Sequence, residues 1–174
     1  KVEVIARLRG QETLHPSRTE YQYSNLGLSL AGYIVEEVSE TPYDQYVRSN
    51  ILGPLGMDDT YSEMPREHID GQLAMGYTDL TRQGDRNEVP FFEAKGISAA
   101  AGYASSVDDL AKFAMWQFRL RGDAEEIVHA YTLAEMQRVH FARPGLNTMR
   151  GLGFQVSARD GETFVGHGGS CPGF

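Results

Sequence analysis

The chain has 174 residues, 41% hydrophobic and 10% aromatic, so it is long enough to bury a core and too apolar to be disordered. Sixteen basic residues against 24 acidic ones give a net charge of −8, which argues against the basic stripe of a nucleic-acid binder. A single cysteine, Cys171, excludes an internal disulfide, and no run approaches the ~18 apolar residues that a membrane span requires.

Lys1-Val2-Glu3-Val4 carries no leader pattern, and the chain stops at Phe174 just after a glycine-rich segment; both ends read as those of an internal fragment. Residues 25–39 have helical spacing, with Leu26, Leu30, Ile34 and Val38 four apart on one face. Gly27 and Gly32 inside that helix each cost about 1 kcal/mol against alanine, which close packing has to offset. Thr41-Pro42 marks a second start, Thr41 as cap and then proline where its missing N–H is harmless, with Tyr43, Tyr46, Val47 and Ile51 on the apolar side and Gly53-Pro54 as its stop.

Residues 62–96 are polar and weakly periodic, an irregular excursion with one expected strand near Leu73–Tyr77. Ser106 then caps a helix that carries Asp108 and Asp109 in its first turn. Its apolar face reads Val107, Leu110, Ala111, Ala114 and Phe118, and Gly122 after Arg119 and Arg121 reads as its stop. Thr132 with Glu135 predicts a capping box for a short helix over Leu133, Met136 and Val139. After Gly151 the period changes: Leu152, Phe154 and Val156 alternate, Asp160-Gly161 is a hairpin turn, and Phe164 leads to His167. A mainly helical region over 1–150 followed by the first strands of a sheet over 151–174, within one partial domain, is an α+β arrangement.

Two short segments are candidates for chemistry. Tyr23-Ser24-Asn25 stands in a tyrosine-rich loop at a helix start, where Ser24 or Asn25 also suits an N-cap. Gly166-His167-Gly168-Gly169-Ser170 ends an expected strand, where glycines mark either a plain turn or the close approach of a ligand. The histidines form no i, i+4 pair that suggests a metal site, and no metal or organic cofactor is implied. Cys171 has Pro172 beside it and no obvious histidine partner, which argues against a cysteine nucleophile. Gly151-Leu152-Gly153 lacks the third glycine of a dinucleotide fingerprint, and the order of motifs is wrong for an α/β-hydrolase.

The stretch YQYSNLGLSLAGYIVEEVSETPYDQYVRSNILGPLGMDDT (Tyr21 to Thr60) resembles the region around the Tyr-x-Asn motif of serine β-lactamase and penicillin-binding-protein-like hydrolases. AAAGYASSVDDLAKF (Ala99 to Phe113), GLGF (Gly151 to Phe154) and GHGGSCPGF (Gly166 to Phe174) resemble that superfamily's next segments, in family order. The resemblance implies a β-lactamase-like fold, a helical subdomain plus an antiparallel sheet flanked by helices. Class C β-lactamases, D-alanyl-D-alanine carboxypeptidases, D-aminopeptidases and esterases share it.

By the same resemblance, Tyr23 would stand beside a Ser-x-x-Lys serine and lysine, and a phenol needs a nearby cation to act as base near neutrality. Asn25 would hold the substrate amide, and His167 would replace the lysine of a Lys-Thr-Gly motif. Gly168 and Gly169 would let a substrate lie along the strand edge, and the Ser170 N–H would form half of an oxyanion hole.

Two departures stand out. His-Gly-Gly lacks the usual threonine hydroxyl, which favours peptidase or esterase relatives over a dedicated β-lactamase. None of the serines is followed three residues on by lysine, so the nucleophile is expected upstream of Lys1. The 174 residues alone are therefore expected to be inactive, and unstable where the sheet edge and a helical face lie open. The implied partner is a small-molecule or peptide substrate, with oligomeric state and site of action left open by the sequence; the resemblance leans toward an extracytoplasmic, periplasmic or secreted one. The alternative from a different class is a non-catalytic module that binds a peptide or cell-wall fragment.

Overall fold

The computed structural model describes residues 1–69, 71–120, 127–142, 145 and 148–174. They fall into two compact units: one of Lys1–Gln11, Ser24–Leu110 and Ser170–Phe174, the other of Glu12–Tyr23 and Ala111–Gly169.

The first unit is helical. Helix α1 spans Val2–Leu8 and α2 spans Asn25–Ser39, the bounds expected from its spacing. Ser24 is its N-cap, accepting the Gly27 N–H at 2.9 Å. The buried side of α2 is not the leucine stripe. Ile34 is 62% and Val38 80% exposed, whereas Ser29 and Gly32 are buried. Ser29 can be buried because its hydroxyl donates to the Asn25 carbonyl at 2.7 Å. A Cβ on Gly32 would collide with the Ala99 side chain and lie 3.4 Å from the Tyr43 ring, so close packing does offset this glycine. Gly27 has no such neighbour: a Cβ there would meet only the Ser24 side chain, at 3.5 Å.

Helix α3, Tyr43–Val47, runs through a π-helical turn at Arg48–Leu52 into α4, Gly53–Leu55. The expected stop at Gly53-Pro54 falls inside this run, because proline is tolerated in the first turn, and the left-handed Gly56 ends it instead. Thr41 does not cap α3; its hydroxyl donates back to the Ser39 carbonyl at 3.0 Å. The Tyr43 N–H donates instead to Glu36 Oε1 at 3.1 Å, a cap supplied by the preceding helix.

The Lys1 ammonium beside Glu36, with the Tyr43 N–H, holds that carboxyl below its usual range. A depressed carboxylate contributes stability that is present above its ordinary pKa and lost as pH falls through the lowered value. Glu36→Ala is expected to cost about 1 kcal/mol at neutral pH, the usual worth of a cap, and to flatten that acid-side loss. Urea melts of both forms at pH 7 and pH 3 check it; equal loss at both pH values would contradict it.

Residues 62–96 are irregular, with single 3₁₀ turns at Arg66–His68 and Lys95–Ile97. No strand forms over 73–77, since Leu73 is drawn into a turn by its N–H bond to the His68 carbonyl at 3.0 Å. What forms is one antiparallel bridge, Tyr77 to Glu88, flanked by Thr78 N–H to Asn87 O and Val89 N–H to Gly76 O, both 2.9 Å.

Helix α5, Val107–Leu120, starts in this first unit, with Ser106 as cap accepting the Asp109 N–H at 3.2 Å. Its expected apolar face is again the open one: Val107 is 82% and Phe118 70% exposed, while Asp109 and Trp116 are buried. The expected stop at Gly122 lies outside the described residues.

In the second unit, α6 spans Ala130–Gln137 and buries Leu133. It begins after His129, so Thr132 sits within its first turn rather than capping it, and Glu135 pairs with Arg138 at 2.6 Å. Strands β1 (Thr148–Arg150), β2 (Gln155–Arg159) and β3 (Glu162–Gly166) form an antiparallel sheet in that order. Asp160 and Gly161 both have positive φ, 55° and 82°, as a type I′ hairpin turn demands. The β2–β3 register pairs Val156 with Val165, and Val156 is buried. Leu152 lies before β2 and is half exposed, while β1 has no alternation to announce it.

Candidate functional site

The second unit brings two of the expected site residues together. Tyr23 lies in the loop just before the Ser24 cap, and His167 follows the last residue of β3. Their ring centroids are 5.9 Å apart at an interplanar angle of 36°. Both side chains are exposed.

The loop that carries Tyr23 is held from below. The Arg150 guanidinium, from β1, sits 5.1 Å over the Tyr21 ring, and Tyr21 lies 6.2 Å from Phe141. A cation over a desolvated ring face adds to the packing of such a layer. Tyr21 and Arg150 were not candidates in the sequence, because an arginine in a three-residue strand carries no local mark of its partner.

His167 has a defined proton. Its Nδ1 lies 2.5 Å from the Gly168 carbonyl oxygen, which can only accept, so Nδ1 is the donor. In the neutral ring this leaves Nε2 as an acceptor, and in the charged ring as a second donor. Beyond it, a Cβ added to Gly168 or Gly169 would meet nothing within 4 Å. The backbone here is bare enough for another chain to lie against it. β3 is an outer strand of the described sheet, which gives that approach an unpaired edge.

Asn25 and Ser170 belong to the first unit. The capping role that either Ser24 or Asn25 could fill is taken by Ser24, and among the described residues the Asn25 side-chain amide has no hydrogen-bond partner. Likewise, among the described residues, the N–H groups of Gly168, Gly169 and Ser170 donate no hydrogen bond. Donors left open in this way are what an oxyanion requires. No group of three His, Cys, Asp or Glu among the described residues could hold a metal ion, and no described helix is long and apolar enough to cross a membrane.

Known proteins share this fold. The octameric penicillin-binding protein homologue from Pyrococcus abyssi superposes with a TM-score of 0.81 at 33% identity, over 95% of this chain and 37% of that one. The D-amino acid amidase from Ochrobactrum anthropi gives 0.72 at 30% identity, over 95% and 47%. Among curated proteins, the Unguisins hydrolase ungD' of Aspergillus campestris is 32% identical over 113 residues, which cover 64% of this chain and 21% of that protein. The chain thus spans less than half the length of each of these relatives. The Beta-lactamase family itself matches over residues 2–174. Motif order, fold and a match over nearly every residue agree, and the chain belongs to the Beta-lactamase family.

Proposed function

We propose that the full-length protein is a serine hydrolase that transfers an acyl group to water through a serine acyl-enzyme, acting on an amide, ester or β-lactam. The nucleophile in this reading is the serine of a Ser-x-x-Lys segment carried outside these 174 residues. Tyr23 takes the serine proton as the serine oxygen bonds to the substrate carbonyl carbon, and passes it to the departing amine or alcohol. The motif lysine supplies the cation that a phenol needs for this role. Asn25 holds the substrate amide, Gly168 and Gly169 accept its backbone along the edge of β3, and the Ser170 N–H meets the oxyanion.

The observation that carries the proposal is the 5.9 Å approach of Tyr23 and His167, residues from two separate motifs near opposite ends of the sequence. Amides are the substrate class to test first. The amidase and hydrolase named among the relatives support that choice, as does the His-Gly-Gly motif without a threonine hydroxyl. An extracytoplasmic site of action is part of the same proposal.

The test is turnover of D- and L-amino-acid amides, activated esters and a chromogenic β-lactam by the full-length protein. Trapping by a penicillin or a fluorophosphonate, read as an intact-mass shift, accompanies it. One adduct on a Ser-x-x-Lys serine is the expected result, and the 174 residues alone should turn over nothing. Turnover by those residues alone would overturn the proposal.

A second reading turns on the full-length sequence, since no serine in these 174 residues has a lysine three positions on. If the full-length sequence also lacks that pair, Tyr23 has no serine to deprotonate. A non-catalytic module binding a peptide or cell-wall fragment then follows.

A further inference from the structure

The run that follows β3 has little to hold it. Beyond the His167 ring, which meets Tyr23, the run carries no side chain that could fix its course: Cβ atoms added at Gly168 and Gly169 would meet nothing within 4 Å. The first anchor downstream of Ser170 is the turn Cys171-Pro172-Gly173-Phe174, closed by the Phe174 N–H donating to the Cys171 carbonyl at 3.1 Å. Proline at its second position and Gly173 at its third, with φ +92°, are the pattern of a type II turn.

That turn is pressed onto the 76–89 segment, backbone against backbone. The Tyr77 N–H donates to the Gly173 carbonyl at 3.0 Å. A Cβ on Gly173 would fall 2.8 Å from the Gly76 Cα and 2.9 Å from its carbonyl carbon. A Cβ on Gly76 would fall 3.1 Å from the Gly173 Cα and 3.0 Å from the Phe174 ring. Gly173 has no room for a side chain, and its obstacles are backbone atoms; at Gly76 an added Cβ is tight enough that the Phe174 ring and the Gly173 backbone must give by a few tenths of an ångström. Gly76 is itself held by the Val89 N–H, which donates to its carbonyl at 2.9 Å.

We propose that Gly76 and Gly173 form a clamp that aims the Ser170 N–H, making the 76–89 segment a positioning element of the site. The inference rests on the oxyanion role given to Ser170 above. An oxyanion donor must lie about 2.7–3.1 Å from the developing charge, and a shift on the order of 1 Å can cost ~10²-fold. A glycine-rich run cannot hold that tolerance by itself, and the clamp three residues on supplies what the run lacks.

The experiment compares Gly76→Ala and Pro172→Ala in the full-length protein with Gly71→Ala, where an added Cβ meets nothing closer than 3.9 Å. Pro172→Ala adds no atoms, so it loosens the turn without a collision and serves if Gly76→Ala fails to fold. Backbone amide NMR should show the Ser170 resonance displaced in both clamp variants and unmoved in Gly71→Ala. On the best amide or ester substrate, kcat should fall on the order of 10²-fold in Gly76→Ala with KM held, and several-fold in Pro172→Ala.

An unmoved Ser170 resonance in a folded clamp variant overturns the clamp, whatever the turnover. A displaced resonance with unchanged kcat overturns its positioning role. Absence of acyl transfer in the unmodified full-length protein counts against the hydrolase reading instead, and the Ser170 resonance still decides whether the clamp aims that amide.

Discussion

Replacing Tyr23 by phenylalanine in the full-length protein is expected to lower kcat by roughly 10²–10⁴-fold, the range for losing a general base. The substitution removes one oxygen and leaves the ring. The 5.9 Å approach to His167 and the support of the loop by Tyr21 and Arg150 should survive. Among the described residues the hydroxyl has no hydrogen-bond partner, so the partners that its loss affects are those of the site itself, the serine and lysine of the proposed mechanism. Fold stability should therefore hardly change, which separates chemistry from packing. Pre-steady-state acylation and deacylation rates, with a melting curve of each form, make the measurement. Equal acylation rates in the two proteins would remove Tyr23 from the proton path.

Much of the local structure was legible in the sequence, and the failures share a cause. The bounds of α2, the Ser24 and Ser106 caps and the Asp160-Gly161 turn all depend on atoms within a few residues of one another. The buried faces do not. Leu26, Leu30, Ile34 and Val38 form the apolar stripe of α2, yet the helix buries Ser29 and Gly32, because Ala99 and Tyr43 arrive from that side. Periodicity shows which face gains from burial; the side the rest of the chain covers is a long-range property.

The caps at Thr41 and Thr132 were misread for a related reason. A hydroxyl near a helix start has competing partners, and Glu36 from the preceding helix reached the Tyr43 N–H instead. For the candidate site, the spacing of residues could not bring Tyr23 to His167. Family resemblance names both residues as members of one site, and their ring centroids lie 5.9 Å apart. Ser24 holds the cap, which leaves the Asn25 amide without a hydrogen-bond partner among the described residues.

The largest stability effect is expected at a residue that the sequence offers as a first-turn acid at the positive end of the helix dipole. Asp109 is 1% exposed in the first turn of α5. One carboxylate oxygen accepts both the Asp59 N–H and the Thr60 hydroxyl, each at 2.9 Å. Thr60 is itself buried, and its oxygen lies 2.8 Å from the Ser105 hydroxyl, which extends the network toward the helix cap. An acid at the third helical position ordinarily supports its own cap. Here its carboxylate also ties α5 to the 59–60 segment, fifty residues away in sequence.

Asp109→Ala strands the Asp59 N–H and leaves the buried Thr60 hydroxyl only Ser105 as partner, at about 1–3 kcal/mol for each lost bond, so a total of roughly 2–6 kcal/mol is expected. Asp109→Asn keeps the shape and one carbonyl acceptor but gives up the charge that strengthens both bonds, and should cost less than the alanine. Thr60→Val removes one donor together with its link to Ser105, and in a double variant with Asp109→Ala the two losses should fall short of their sum, since they share one bond. Urea denaturation of the four proteins measures this cycle. Additive losses would mean that Asp109 and Thr60 act separately, and a cost below 1 kcal/mol for Asp109→Ala would mean that water reaches the stranded donors after all.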